Sequence, residues 1–112
     1  MTVGSVRLVT SVLKELQLDA ARSLADEIKA RYADTVAVLA LEADGKLSFI
    51  AVAGKDAVAA GAHAGKLVGA VAAVTGGKGG GRPDNAMAGG RDASLVDAAL
   101  ASAKEALGGM LK

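Results

Sequence analysis

The sequence predicts an α/β fold of the α+β type, a two-layer sandwich in which helices pack on a small mixed β-sheet. Three observations predict it: apolar residues recur at helical spacing in three segments, short apolar or β-branched runs lie between them, and an Asp-Gly pair joins two of these runs. The 112 residues, 52% of them hydrophobic, are enough for one core. We therefore expect a single domain over residues 1–112, with the order β-α-β-β-α-loop-α.

The first half of the chain predicts a strand, a helix and a hairpin. Segment 6–13 is rich in β-branched residues, as strands are. After Asp19, which we expect to be an N-cap, apolar residues recur every three or four positions, which predicts an amphipathic helix. The apolar run 36–41 predicts a strand buried on both faces. Asp44-Gly45 predicts the turn of a hairpin whose returning strand is 47–53.

Two helices are predicted in the second half, on either side of a glycine-rich loop. The alanine-rich segment 57–75 predicts a buried helix, and Gly61 is expected to precede it. Gly65 and Gly69 lie four residues apart on one face of this helix, where they permit close backbone packing. The loop then spans residues 76–91.

The last helix follows this loop. Asp92 is expected to cap its N-terminus, apolar residues recur from Leu95 to Leu107, and Gly108-Gly109 is expected to end it.

Charge and composition restrict the function. The net charge is +1, so a nucleic acid could be bound only by a local basic patch and not by a strongly basic surface. Tyr32 and Phe49 are the only aromatic residues, too few for a platform on which bases stack. With no cysteine, disulfides and thiolate metal sites are excluded. No apolar run is long enough to span a bilayer and no signal-peptide pattern occurs, so we expect a cytoplasmic protein without a membrane partner.

The loop is the most informative segment. Seven of the fifteen positions from Gly76 to Gly90 are glycine. Glycine-rich backbone favours a ligand whose phosphates approach main-chain N–H groups, although a flexible surface loop is the alternative interpretation. Lys78 and Arg82 add cations within the run, and Arg91 follows it. No Walker A loop is present, because Ser or Thr never follows Gly-Lys, and no GxGxxG spacing occurs.

At these residues the chain resembles a known family. The string GGKGGGRPDNAMAGG is similar to the signature of the last domain of alanyl-tRNA synthetases, which belongs to the DHHA1 superfamily. The resemblance extends to Asp44-Gly45, Lys55-Asp56, Gly65–Val68 and the alanine-rich final helix, and so covers nearly all of residues 1–112. The chain departs from the family at 85–88, where an apolar residue followed by Ala-Gln is common.

The resemblance implies a function. In that family the domain is a non-catalytic binder of the tRNA elbow in alanine–tRNA ligase, and it supports aminoacylation and editing of tRNA(Ala). Its partners would be tRNA(Ala) and the other domains of the synthetase, and it contributes to dimerisation in some members. It would carry no cofactor, since ATP and Zn belong to other domains. The residues implied to face the RNA are Gly76, Gly77, Lys78, Gly79, Gly80, Gly81, Arg82, Pro83 and Asp84, with Lys55 and Arg91 as neighbouring cations.

Two alternatives stay open. The chain could be the substrate-binding domain of a DHH-type phosphoesterase, a group in which the glycine run is followed by His, whereas Arg82 stands in that place here. It could also be a dimerisation module that uses Gly65, Gly69 and the last helix as its contact surface. His63 has no carboxylate at ligand spacing, so we expect a surface residue at a helix start and not a catalytic group.

Overall fold

The computed structural model describes residues 2–4, 6–14, 18–43 and 46–111. These residues form six strands and four α-helices, and a 3₁₀-helix over Ala93–Leu95 leads into the last helix. In chain order the elements are β1 (Thr2–Val3), β2 (Val6–Lys14), α1 (Leu18–Arg31), β3 (Thr35–Ala43), β4 (Lys46–Ala53), α2 (Lys55–Ala59), α3 (Ala64–Val74), β5 (Lys78–Gly81), β6 (Asn85–Gly89) and α4 (Val96–Met110).

The strands form one mixed sheet with the order β1-β2-β3-β4-β6-β5. β2 and β3 are parallel, and every other neighbouring pair is antiparallel. The predicted hairpin of β3 and β4 is confirmed, with Ala43 opposite Lys46. The predicted turn at Asp44-Gly45 lies outside the described residues. The predicted mixed sheet with helices packed on it is therefore confirmed.

Helices cover both faces of the sheet. Alternate residues of β3 point to opposite faces, as the pleat requires. Val36, Val38 and Ala40 face the core formed with α3 and α4. Ala37, Leu39 and Leu41 pack against α1. The helix α1 thus adds a third layer to the two that we expected, and the prediction that β3 is buried on both faces is confirmed.

Two predicted helix boundaries are wrong. The helix α1 begins at Leu18, so Asp19 lies in its first turn and does not cap it. The helix α4 continues through Gly108 and Gly109 to Met110. A glycine in a helix costs about 1 kcal/mol relative to alanine. Here the buried side chain of Leu107 and the packing of Met110 against the core hold the last turn in place.

The segment 57–75 holds two helices where one was predicted. The short helix α2 ends at Ala59, and Gly61 turns the chain with a φ of 114° before α3 begins. Glycine suits this position because side chains disfavour positive φ. Gly61 does precede the buried helix, as predicted.

The prediction of a loop over 76–91 is wrong, because β5 and β6 form a hairpin there. β6 lies between β4 and β5, with Ala88 opposite both Phe49 and Gly79. Glycine has a low β-propensity, so no pattern in the sequence predicts these strands. They form because β4 offers β6 a pairing edge and α3 packs against both strands.

Candidate nucleic-acid interface

The glycines where α3 meets β5 are needed by the fold itself. A side chain at Gly65 of α3 would collide with the backbone of Gly81, and one at Gly69 would lie 3.1 Å from the carbonyl oxygen of Gly79. The expectation that Gly65 and Gly69 permit close packing is therefore confirmed. Their partner is the backbone of β5, which leaves Gly65 buried and unable to serve as the dimer contact suggested by the sequence.

The same holds on the strands. Side chains at Gly79 and Gly81 would collide with their cross-strand partners Ala88 and Ala86, and a side chain at Gly77 with Gly89. Gly76 has a φ of 84°, which favours glycine. Glycine richness at these positions thus reflects close approach within the domain. From the sequence we had interpreted this glycine richness as favouring a ligand. By itself it is not a sign of one.

Residues 82–85 form a turn at the tip of the β5–β6 hairpin, and this turn uses the backbone groups of α3. The amide of Arg82 donates to the carbonyl of Asn85 at 3.0 Å. The carbonyls of Arg82 and Pro83 accept from the first amides of α3, those of Gly65 and Ala64, at 3.1 and 2.7 Å. An anion site at this helix N-terminus is excluded, because its amides are occupied.

His63 completes this arrangement. Its Nδ1 accepts a hydrogen bond of 3.1 Å from the amide of Lys66, so the imidazole caps α3. His63 thus stands at a helix start, as predicted, and its ring holds the helix that carries Gly65. Within the described residues, no group of three or more potential ligands could hold a metal ion.

Side chains of α1 fix the turn from the other side. Lys29 Nζ lies 3.2 Å from Asp84 Oδ2, and Asn85 Nδ2 donates to Asp26 Oδ1 at 3.5 Å. Asp84 therefore pairs with Lys29 and not with its neighbour Arg82. Arg82 is exposed and has no ion pair among the described residues.

The four predicted cations lie around the hairpin. Lys78 and Arg82 lie at the start and just after the end of β5. Arg91 lies beyond the far end of the hairpin, where its side chain comes near Gly76 and its amide donates to Thr75 Oγ1 at 3.3 Å. Lys55 begins α2 on the other side of the tip. All four are exposed, and none has an ion pair within the described part of the chain.

Two depressions flank the turn. The first, which we name the hairpin groove, has a volume of about 370 Å³ and is lined by Arg22, Gly80, Gly81, Arg82, Asn85, Ala86 and Met87. The second, the turn pocket, has a volume of about 630 Å³ and is lined by Lys29, Ala30, Ala33, Ala53, Lys55, Val58, Pro83 and Asp84. Lys55 thus joins Pro83 and Asp84, while Arg82 faces the other depression.

Arg22 was not predicted as part of the site. In the sequence it is one of several charged residues on the polar face of α1. Arg22 and Arg82 line the same groove only because α1 packs beside β6, and no local sequence pattern predicts that packing. The helix also carries Glu27, whose Oε1 lies 3.0 Å from Arg31, an ordinary ion pair at the surface.

The cation-bearing hairpin, with its glycine backbone packed on α3, can be compared with known proteins. A family model described as the DHHA1 domain matches residues 5–109. The chain belongs to the DHHA1 domain family. No helix within the described part of this DHHA1 domain is long and apolar enough to cross a membrane.

Curated relatives and a solved structure agree with this family. The DHHA1 domain is 45% identical over 103 residues to the alanine–tRNA ligase of Shouchella clausii (strain KSM-K16), an alignment that covers 92% of this chain and 12% of the ligase. It is 42% identical over 105 residues to the alanine–tRNA ligase of Alkaliphilus oremlandii (strain OhILAs), over 94% of this chain and 12% of that ligase. The chain thus spans about an eighth of these relatives.

The fold is similar to that of the C-Ala domain from the Aquifex aeolicus alanyl-tRNA synthetase. The two share 28% sequence identity with a TM-score of 0.84, and the match covers 96% of each chain. The resemblance to the last domain of alanyl-tRNA synthetases is therefore confirmed for the DHHA1 domain, in sequence and in fold.

Proposed function

We propose that this DHHA1 domain is a non-catalytic tRNA-binding module of an alanine–tRNA ligase. It binds the elbow of tRNA(Ala) and so supports aminoacylation and editing by the other domains of the enzyme. The homology to alanine–tRNA ligases supports the assignment to that enzyme. The elbow and the support of editing are the parts of the proposal that need a direct test.

One observation carries the proposal. Four cationic side chains are exposed around one hairpin and have no ion pair among the described residues: those of Lys78, Arg82, Arg91 and Lys55. Surface arginine and lysine side chains without acidic partners are available to phosphates, and the guanidinium of Arg82 can bond a phosphate with two N–H groups. A local set of cations also explains how a domain with a net charge of +1 binds RNA.

The aromatic residues indicate the mode of recognition. Phe49 is fully buried in the core, and Tyr32, just after the end of α1, is half exposed. One exposed ring does not make a platform for stacked bases. The domain therefore recognises the shape and the phosphate backbone of a folded RNA, which suits a target such as the tRNA elbow.

A salt series tests the proposal. If about three phosphates are neutralised, a fourfold rise in salt weakens binding roughly 20- to 60-fold. We expect this slope in filter binding of the domain to a tRNA(Ala) transcript, and a shallower slope with lower affinity for the double variant Lys78→Ala/Arg82→Ala. Lys104→Ala, on the exposed side of α4, is the control for charge and should match the wild type.

Three results would contradict the proposal. One is the absence of detectable tRNA binding at low salt. Another is equal affinity for a minihelix that lacks the elbow, which would remove the elbow from the proposal. The last is an unchanged affinity in Lys78→Ala/Arg82→Ala.

A homodimer remains a prediction from the family resemblance alone. Sedimentation with and without tRNA measures it directly, and a dimer that ignores RNA would favour a dimerisation module instead.

A further inference from the structure

The hairpin groove is an open part of the sheet beside α1. The helix α1 covers the face formed by β3 and β4, where Ile50 and Val52 are buried under it. β6 and β5 extend the sheet past the helix, and Met87, which packs against the edge of this core, lies on the floor of the groove. The strand residues that line the groove thus have α1 beside them at one edge of the groove, and no other helix covers them on this face within the described residues.

Cations line this open face. Arg22 of α1 and Arg82 of the turn both line the groove, and Lys78 shares a strand face with Gly80 because residues two apart on a strand point the same way. None of the three has an ion pair among the described residues. Asp26, one helical turn after Arg22, bonds to Asn85, and no carboxylate is among the described residues that line the groove. The groove is therefore positively charged on balance.

Two glycines leave the same face open. A side chain at Gly80 would meet nothing closer than the carbonyl oxygen of Gly65 at 3.8 Å, and one at Gly89 would meet nothing within 4 Å. Neither has a positive φ. Unlike Gly79 and Gly81, these glycines are not required by packing, and glycine inside a strand marks close approach of a ligand or another backbone.

We propose that the hairpin groove holds the phosphate backbone of the bound RNA, with Arg22 as a phosphate-binding residue beside Arg82. The proposal rests on the proposed function and gives it an orientation: the RNA lies on the α1 side of the hairpin. Charge complementarity selects this occupant. The bare backbone at Gly80 and Gly89 lets a phosphate come within reach of the cations on either side, where a larger side chain would hold it away.

Steric and charge variants test this placement separately. We expect Gly80→Leu to weaken binding of the tRNA(Ala) transcript at least tenfold while the melting temperature stays equal or rises, because the added Cβ makes only an ordinary van der Waals contact with the carbonyl oxygen of Gly65. Its control is Gly109→Leu, an exposed helix position where a side chain meets nothing within 4 Å. Arg22→Ala should lower the slope of log K against log salt by about 1, whereas Lys104→Ala should not change it.

The outcomes separate the two proposals. If the wild type binds tRNA and Lys78→Ala/Arg82→Ala weakens it, but Gly80→Leu and Arg22→Ala bind like their controls, the groove is not the site and the proposed function stands. If the wild type does not bind tRNA, the proposed function fails and the groove proposal with it. A melting temperature of Gly80→Leu well below that of Gly109→Leu would show that position 80 is needed for packing, and Arg22→Ala then decides.

Discussion

Gly65 is a residue whose missing side chain lets two elements touch. It lies buried near the start of α3, directly against the backbone of Gly81. At Gly69, one turn later, an added Cβ would lie only 3.1 Å from the carbonyl oxygen of Gly79. The helix and the strand thus meet main chain to main chain, which side chains at these positions would prevent.

A series of glycine-to-alanine variants measures this contact. Gly65→Ala should lower the free energy of unfolding by about 1–3 kcal/mol, as overpacking does. Gly69→Ala should change it by less than about 1 kcal/mol, since a tight contact and a better helix propensity oppose each other. Gly109→Ala, with open space around it, should raise it by up to about 1 kcal/mol. Urea unfolding of the three variants gives the comparison.

Equal stability of Gly65→Ala and Gly109→Ala would contradict the close approach of α3 and β5. The sequence could predict that Gly65 and Gly69 allow close packing, because their spacing puts them on one helix face. It could not identify β5 as the partner, because the local sequence pattern of one segment does not indicate which other segment packs against it. For the same reason, the sequence did not predict that Arg22 lies in the groove beside Arg82.

Among the elements, the start of the last helical segment has a defined cap. Asp92 Oδ1 accepts from the hydroxyl of Ser94 at 2.6 Å and from its amide at 3.0 Å, so the predicted cap is confirmed, although it begins a 3₁₀-helix that leads into α4. These two hydrogen bonds, the side-chain bond first, lower the pKa of the Asp92 carboxyl below its usual value. The ionised form is therefore the one that the fold stabilises.

The cap predicts a pH dependence. Because the pKa is lower in the folded state, the stabilisation is present above the ordinary pKa of the carboxyl and is lost as pH falls through the folded value. Asp92→Ala should lower the melting temperature by about a few degrees at neutral pH, and the difference from wild type should shrink towards about pH 2. Thermal melts across pH measure it. In Asp92→Asn, which keeps the acceptor without the charge, a constant offset at every pH would contradict a role for ionisation.

The hairpin of β5 and β6 could not be predicted from the local sequence, because its strands depend on the elements they pack against. β3 and β4 could be predicted because apolar, β-branched residues run through them. Lys78–Gly81 has no apolar residue at all, and its strand state comes from β6 and α3. The conformation predicted for this string was therefore wrong, and whether its residues bind RNA stays a prediction.

At the scale of the whole molecule, burial increases towards the middle of the sheet. β3 is paired on both sides and buried on both faces, with relative exposures of 0–5% over 36–41. β5 lies at one edge and is exposed along its length. Local opening follows burial and hydrogen bonding, so the two strands should differ widely in local stability.

Hydrogen exchange followed by NMR tests this gradient. Amides of Val36–Leu41 should exchange slowest, at rates set by global unfolding, and amides of β5 that point away from β6 should exchange fastest among the strands. Equal protection of β3 and β5 would show that the hairpin opens only with the core. The fold class and the central strands were thus predictable, whereas the sheet order, with β6 between β4 and β5, depends on contacts over long sequence separations.

The contact between α3 and β5 also has a consequence for how the domain can change. It is made by backbone atoms, the part of a chain that is common to every amino acid. A hairpin anchored in this way keeps its place whichever side chains its outer face carries, so positions 78, 80, 82 and 89 can be substituted at little cost to folding. Selection, or a protein engineer, can therefore alter the ligand preference of this surface independently of the architecture that presents it.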